Sequence, residues 1–242
     1  MATNFEDFIV SIYREVLSKT SLSLTILKEI TVRQLAELSS FRTLANEATA
    51  SFTIRSASPY VGEYADEAID GFPRDAMEID LVWYETGTTG NARRFEVAQA
   101  DSMDEVRMHG RDRLGLTYLV GHPDKYFWFG RKMYFAPAVS EDRTIFCDYF
   151  RDARRDSTTG EPITVKSTKE TNPWFDRGEL VLRNAVLAEY FTMPMFQDQG
   201  AAAACAALRN QFLGTMTKEL EMKKSSSIQA PAYVPAYSSY TR

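Results

Sequence analysis

Apolar residues along the chain change their period as the sequence proceeds. Phe5, Phe8, Ile9, Ile12, Val16 and Leu17 recur at helical spacing, with Asn4 placed to cap the first turn. After a serine-rich break over 18–23, Ile26, Ile30, Leu35, Leu38, Phe41 and Leu44 predict a second helix to about Asn46, although Thr25 and Thr31 weaken its start. From Ala50 the pattern alternates. Phe52-Thr53-Ile54-Arg55 reads as a short strand closed by Pro59. The stretch 63–80 holds seven carboxylates against Arg74 alone and predicts a solvated loop. Residues 79–84 and 94–97 then form the arms of a hairpin around Gly87-Thr88-Thr89-Gly90-Asn91.

Ser102-Met103-Asp104-Glu105 has the spacing of a capping box and opens a short helix that stops at Gly110. Two aromatic strands, 126–129 and 133–135, flank Gly130, and a third covers 144–149. The middle of the chain therefore predicts a compact antiparallel sheet. Beyond Trp174, Leu180, Val181, Ala185, Leu187 and Ala188 fill a helix that Pro194 ends or kinks. Ala204, Leu208, Phe212, Met216 and Leu220 form an i+4 stripe on a last helix, explained by packing within one bundle. The expected class is α+β: N- and C-terminal helices bundled together, an antiparallel β region inserted between them, and an extended C-terminal arm. The divisions fall at 1–50 (helices), 51–170 (β-rich), 171–224 (helices) and 225–242 (arm).

The arm is the most informative segment. Pro231 and Pro235 forbid a continued helix, yet Tyr233, Tyr237 and Tyr240 are aromatic where a merely flexible tail is poor in aromatics. Fixing about a dozen backbones costs on the order of 12–20 kcal/mol. Burying three tyrosines returns about 11–19 kcal/mol. The sums nearly cancel, so the arm orders only with added pairing or a pocket on another chain. Pro231, Tyr233, Val234, Pro235, Tyr237 and Tyr240 are the expected partner-binding residues. Fully extended, 225–242 spans roughly 60 Å.

The net charge of −5 argues against a protein that grips nucleic acid through phosphates. Cys147 and Cys205 are too few for a secreted disulfide framework and read as small buried hydrophobes. No charged-then-apolar leader opens the chain and no run of eighteen apolar residues occurs, so an intracellular protein not embedded in a membrane is expected. No phosphate loop, nucleophile elbow or dinucleotide fingerprint is present. His109 and His122 lack a second His or Cys at metal-ligand spacing and read as surface residues. Arg151-Asp152-Ala153-Arg154-Arg155-Asp156 reads as an exposed turn whose aspartates blunt its field, and Lys223-Lys224 sit favourably against a helix C-terminus. No catalytic residue, cofactor or metal is expected, and an enzyme ranks below an assembly component.

Several local patterns occur in a telling order. Phe72-Pro73-Arg74-Asp75 leads into Met77-Glu78-Ile79-Asp80-Leu81-Val82. Pro123, Tyr126, Gly130, Met133, Phe135 and Pro137 follow, then Phe146-Cys147-Asp148-Tyr149, and finally Trp174-Phe175-Asp176-Arg177-Gly178 before Asn184-Ala185. The series, over roughly 70–220, resembles the head-to-tail adaptor (connector) proteins of tailed bacteriophages, especially short-tailed ones. The resemblance implies a non-enzymatic homo-oligomeric ring, usually of about twelve copies. It implies a ring docked on the portal protein, with a tail protein (nozzle or tail tube) below and DNA passing through the lumen without specific binding. It also implies a virion location at the head–tail interface after synthesis in the host cytoplasm. Another tail ring, such as a tail-terminator or completion protein, is the alternative, followed by an interaction module outside phage biology.

Overall fold

The structure, a computed structural model, describes residues 4–16, 24–54, 62–65, 73–87, 93–111, 119–129, 132–194 and 196–227. Helix α1 (Phe5–Val16) starts as its sequence dictates: Asn4 Oδ1 accepts the Asp7 backbone N–H at 2.9 Å. Phe5, Phe8, Ile9, Ile12 and Val16 of its apolar stripe are all buried, and Leu17 lies outside the described residues. Helix α2 (Leu24–Leu38) stops short of the expected Asn46. Ser39 and Ser40 turn their hydroxyls back onto the Ala36 and Glu37 carbonyls, and such local bonds compete with helix continuation.

α1 and α2 share one apolar core with two C-terminal helices, here α4 (Glu179–Thr192) and α5 (Gln199–Ser227). Trp174 and Phe175, on a single 3-10 turn (Pro173–Phe175), lie fully inside it. α4 ends before Pro194, as expected. On α5 the i+4 stripe is only partly the buried face. Phe212, Met216 and Leu220 pack, whereas Ala204 and Leu208 are exposed. Steps of four residues drift about 40° each around a helix, so a long i+4 series leaves the contact face. The packed line shifts instead to Ala201, Ala202 and Cys205.

Between α2 and α4 lies the β region: β1 (Glu47–Ile54), β2 (Gly62–Ala65), β3 (Ala76–Thr86), β4 (Arg93–Gln99), helix α3 (Met103–His109), β5 (Val120–Gly121), β6 (Lys125–Phe129), β7 (Lys132–Ala136), β8 (Ala138–Val139) and β9 (Arg143–Arg151). Seven strands form one sheet in the order β1-β9-β3-β4-β6-β7-β2, and β5 pairs with β8. The β3–β4 and β6–β7 hairpins are the expected ones. The sheet is mixed, however: β4 and β6 run parallel, as do β5 and β8. The connection from β4 to β6 travels through α3, and a crossover of this length returns the chain in the same sense. α3 itself carries the predicted cap. Ser102 Oγ accepts from Glu105 N–H at 3.2 Å, while Glu105 Oε2 accepts from Asp101 N–H at 2.8 Å, and Gly110 ends it.

The main sheet curls back on itself. Phe52 on β1 and Phe135 on β7 lie 6.5 Å apart between ring centroids, although four strands separate them in the sheet. Five strand steps in a flat sheet would hold them about 24 Å apart. Their shared interior holds Ile79, Val82, Tyr84, Tyr126, Met133 and Ile145. The acidic stretch, expected as a loop, is corrected at both ends. Glu63 lies on β2, β3 begins at Ala76 so that Glu78 is also a strand residue, and Asp75 is only 3% exposed. Among the described residues, no helix is long and apolar enough to cross a membrane.

Candidate functional site

Pro231, Tyr233, Val234, Pro235, Tyr237 and Tyr240 lie outside the described residues, which end on α5 at Ser227. The place from which that segment departs is well defined. Lys223 Nζ lies 2.6 Å from Glu47 Oε2 at the start of β1, and Lys224 Nζ lies 2.8 Å from Asp80 Oδ2 on β3. Lys224 also sits 5.0 Å from the ring centroid of buried Phe150, over which Arg42 packs at 5.6 Å while pairing with Glu78. These lysines, expected to serve the helix dipole, are thus ion-paired to the sheet. They fix the end of α5 at the boundary between the two apolar cores.

The segment 151–156 is not an exposed turn. Asp152 and Asp156 are buried, and together they knot the end of β9 to the loop before Trp174. Arg154 clamps Asp152 with two bonds of 2.8 and 2.9 Å. Burial pushes Asp152 up, but the Arg154 hydrogen bonds outweigh it and hold its carboxyl below the usual range. Asp156 accepts from the backbone N–H of Thr158, Thr159 and Thr171 and from the Thr159 and Thr171 hydroxyls. Burial again pushes upward, and these bonds together win, so Asp156 too is held low.

Asp75 behaves in the opposite way. Burial raises its carboxyl above the usual range despite Arg151 at 3.5 Å and a 3.2 Å hydrogen bond from Tyr149. Asn172 donates to the Ala153 and Arg155 carbonyls at 2.9 and 2.8 Å, and Trp174 Nε1 donates to Asn46 Oδ1 at 2.5 Å. The Asn172 and Trp174 bonds tie the turn that enters the helical core to the segment after β9 and to the start of β1. Their chemistry is structural.

Beside this knot a cavity of about 650 Å³ opens, lined by Ala45, Glu47, Ala48, Thr49, Arg151, Asn172, Pro173 and Lys223 among others. It borders the outer edge of β1. Arg151 N–H donates to the Asn46 carbonyl at 2.8 Å, and the register then runs Glu47↔Phe150 to Ile54↔Arg143. Alternation along an antiparallel pair therefore turns the backbone of Ala48, Ala50, Phe52 and Ile54 toward β9 and that of Thr49, Ser51 and Thr53 away from it. Among the described residues, no strand pairs on that outer side. Sequence reasoning missed this edge because it located only 52–55 as a strand. The uncharged run Ala48-Thr49-Ala50-Ser51 was the available signal.

His109 Nε2 lies 2.6 Å from Asp124 Oδ1, and His122 stacks on Tyr84 with centroids 6.0 Å apart. Burial pushes the Cys147 thiol up to about 12, in keeping with an inert core residue. Among the described residues, no three His, Cys, Asp or Glu side chains are grouped to hold a metal ion. In comparison with known proteins, the chain matches no family model and no curated protein.

Proposed function

We propose that the protein is a structural head-to-tail adaptor of a phage virion, forming a ring between portal and tail through which DNA passes. One observation carries this reading: a 29-residue helix pinned at its end to the sheet by Lys223 and Lys224, from which a Pro/Tyr-punctuated arm departs. A fixed launching point limits where the arm can search, which raises its effective concentration at a neighbouring chain. The arm gains little net energy alone. Repeated around a symmetric ring, many weak arms bind together, and the avidity becomes large.

The acidic balance of the chain, −5 overall, suits a lumen that DNA slides past rather than a surface that holds it. The series of motifs over roughly 70–220 supports the same assignment by resemblance. Its last member has a packing reason here, because Gly178 lies against the buried Trp174 ring.

Deleting 230–242 tests the reading. The truncated chain is expected to keep its circular dichroism spectrum and melting temperature while failing to co-elute with a portal ring. Unchanged portal binding by the truncated chain contradicts the proposal. Another tail ring, such as a terminator or completion protein, is the alternative, and it predicts binding to tail proteins in place of the portal.

A further inference from the structure

The outer edge of β1, which β2 approaches without pairing, lacks the lysine and proline that usually guard a strand edge. Its eight residues, Glu47–Ile54, include no lysine, arginine or proline, and Thr49, Ser51 and Thr53 are exposed. An edge of this kind is a template for another strand. We propose that it receives residues 228–242 of a second copy of this chain as an added antiparallel strand.

The tail sequence fits an edge position by parity. Pro231 and Pro235 are four residues apart, so in an extended segment the two missing N–H groups fall on the same side. With that side turned away from β1, Ala232, Val234, Ala236 and Ser238 present their N–H and C=O groups to Thr49, Ser51 and Thr53. Residues directly opposite in an antiparallel pair share a face. The four small tail residues therefore join the exposed face of Thr49, Ser51 and Thr53. Tyr233 and Tyr237 fall on the other face, that of the half-buried Ala48 and Ala50, and Tyr237, four residues nearer the Glu47 end, is the one beside the cavity of about 650 Å³. The prolines then face outward, where they stop any further strand from adding.

Direction selects the donor. Lys223 pairs with Glu47, so a tail from the same chain starts at the Glu47 end and follows β1 in the parallel sense. Parallel pairing would turn the tyrosines to the exposed face of Thr49 and Ser51, away from the half-buried Ala48 and Ala50. The antiparallel sense belongs to a tail arriving from elsewhere. Its fifteen residues extend to about 50 Å, ample for an edge of about 27 Å. Each copy gives one tail and receives one. The exchange needs only a second copy and stands apart from the portal reading, although a portal that takes the same tail must release it from β1.

Amide hydrogen exchange on the full-length protein tests the exchange. Protection at Thr49, Ser51 and Thr53 is expected to rise by at least about tenfold from dilute to concentrated protein. Deletion of 228–242 and Val234→Pro, which removes an N–H on the pairing side, should both abolish that rise. Ser239→Pro, on the opposite parity, should preserve it. Unprotected amides at all concentrations, protection independent of concentration (the same chain's tail), or equal loss in both proline variants overturns the inference. Persistent protection in a complex with bound portal contradicts the portal as receiver of the tail, not the strand exchange.

Discussion

Asp156 concentrates five hydrogen bonds on one buried carboxylate, three of them from the backbone N–H groups of Thr158, Thr159 and Thr171. Asp156→Ala strands those donors, and a loss of about 3 kcal/mol in urea unfolding at neutral pH is expected. The sign with pH follows from its depressed pKa. Its stabilisation is present above the unfolded carboxylate value of about 4 and is lost as pH falls through the folded value. The stability difference between wild type and Asp156→Ala should therefore shrink steadily in acid. A difference that stays constant to low pH would contradict the role given to this charge. Asp75, with its pKa raised, has the opposite sign: its contribution is present at low pH and lost as pH rises through the folded value. The charges of 151–156 were legible in the sequence, but their burial was not. The donors to Asp156 include Thr171, fifteen residues away, and no local pattern announces a loop folding back that far.

Elements with a strong local period were read correctly. α1, the capped α3, both hairpins and the end of α4 each follow from spacing, caps and turn residues within a few positions. What failed was set by neighbours distant in sequence: the parallel β4–β6 junction, the full length of β1, and the face α5 buries. The turn into α4 illustrates a tertiary demand visible only as a glycine. A Cβ at Gly178 would overlap the Trp174 ring, which is fully buried and anchored through Nε1 to Asn46. Gly178→Ala should destabilise the chain by about 2 kcal/mol through overpacking, read by thermal or urea unfolding. A neutral effect would mean that the Trp174 ring has room to shift.

Among the described residues, the two larger apolar cores, one helical and one inside the curled sheet, meet along a polar seam that α5 crosses near its end. Reversing both lysines, Lys223→Glu with Lys224→Glu, sets like charges against Glu47 and Asp80. These pairs are partly exposed, so a loss of roughly 1 kcal/mol per pair is expected. Hydrogen exchange should show it as faster opening of the last turns of α5, with the helical core unchanged. Exchange rates unaffected by the reversal would remove the fixed launching point. The connector proposal rests on other chains ordering residues 228–242. Electron microscopy of the purified protein with and without a portal tests that directly. The expected image is a closed ring seated on the portal, with each arm resolved against a neighbouring chain. An isolated subunit that ignores the portal and carries its arm folded onto itself would contradict the account.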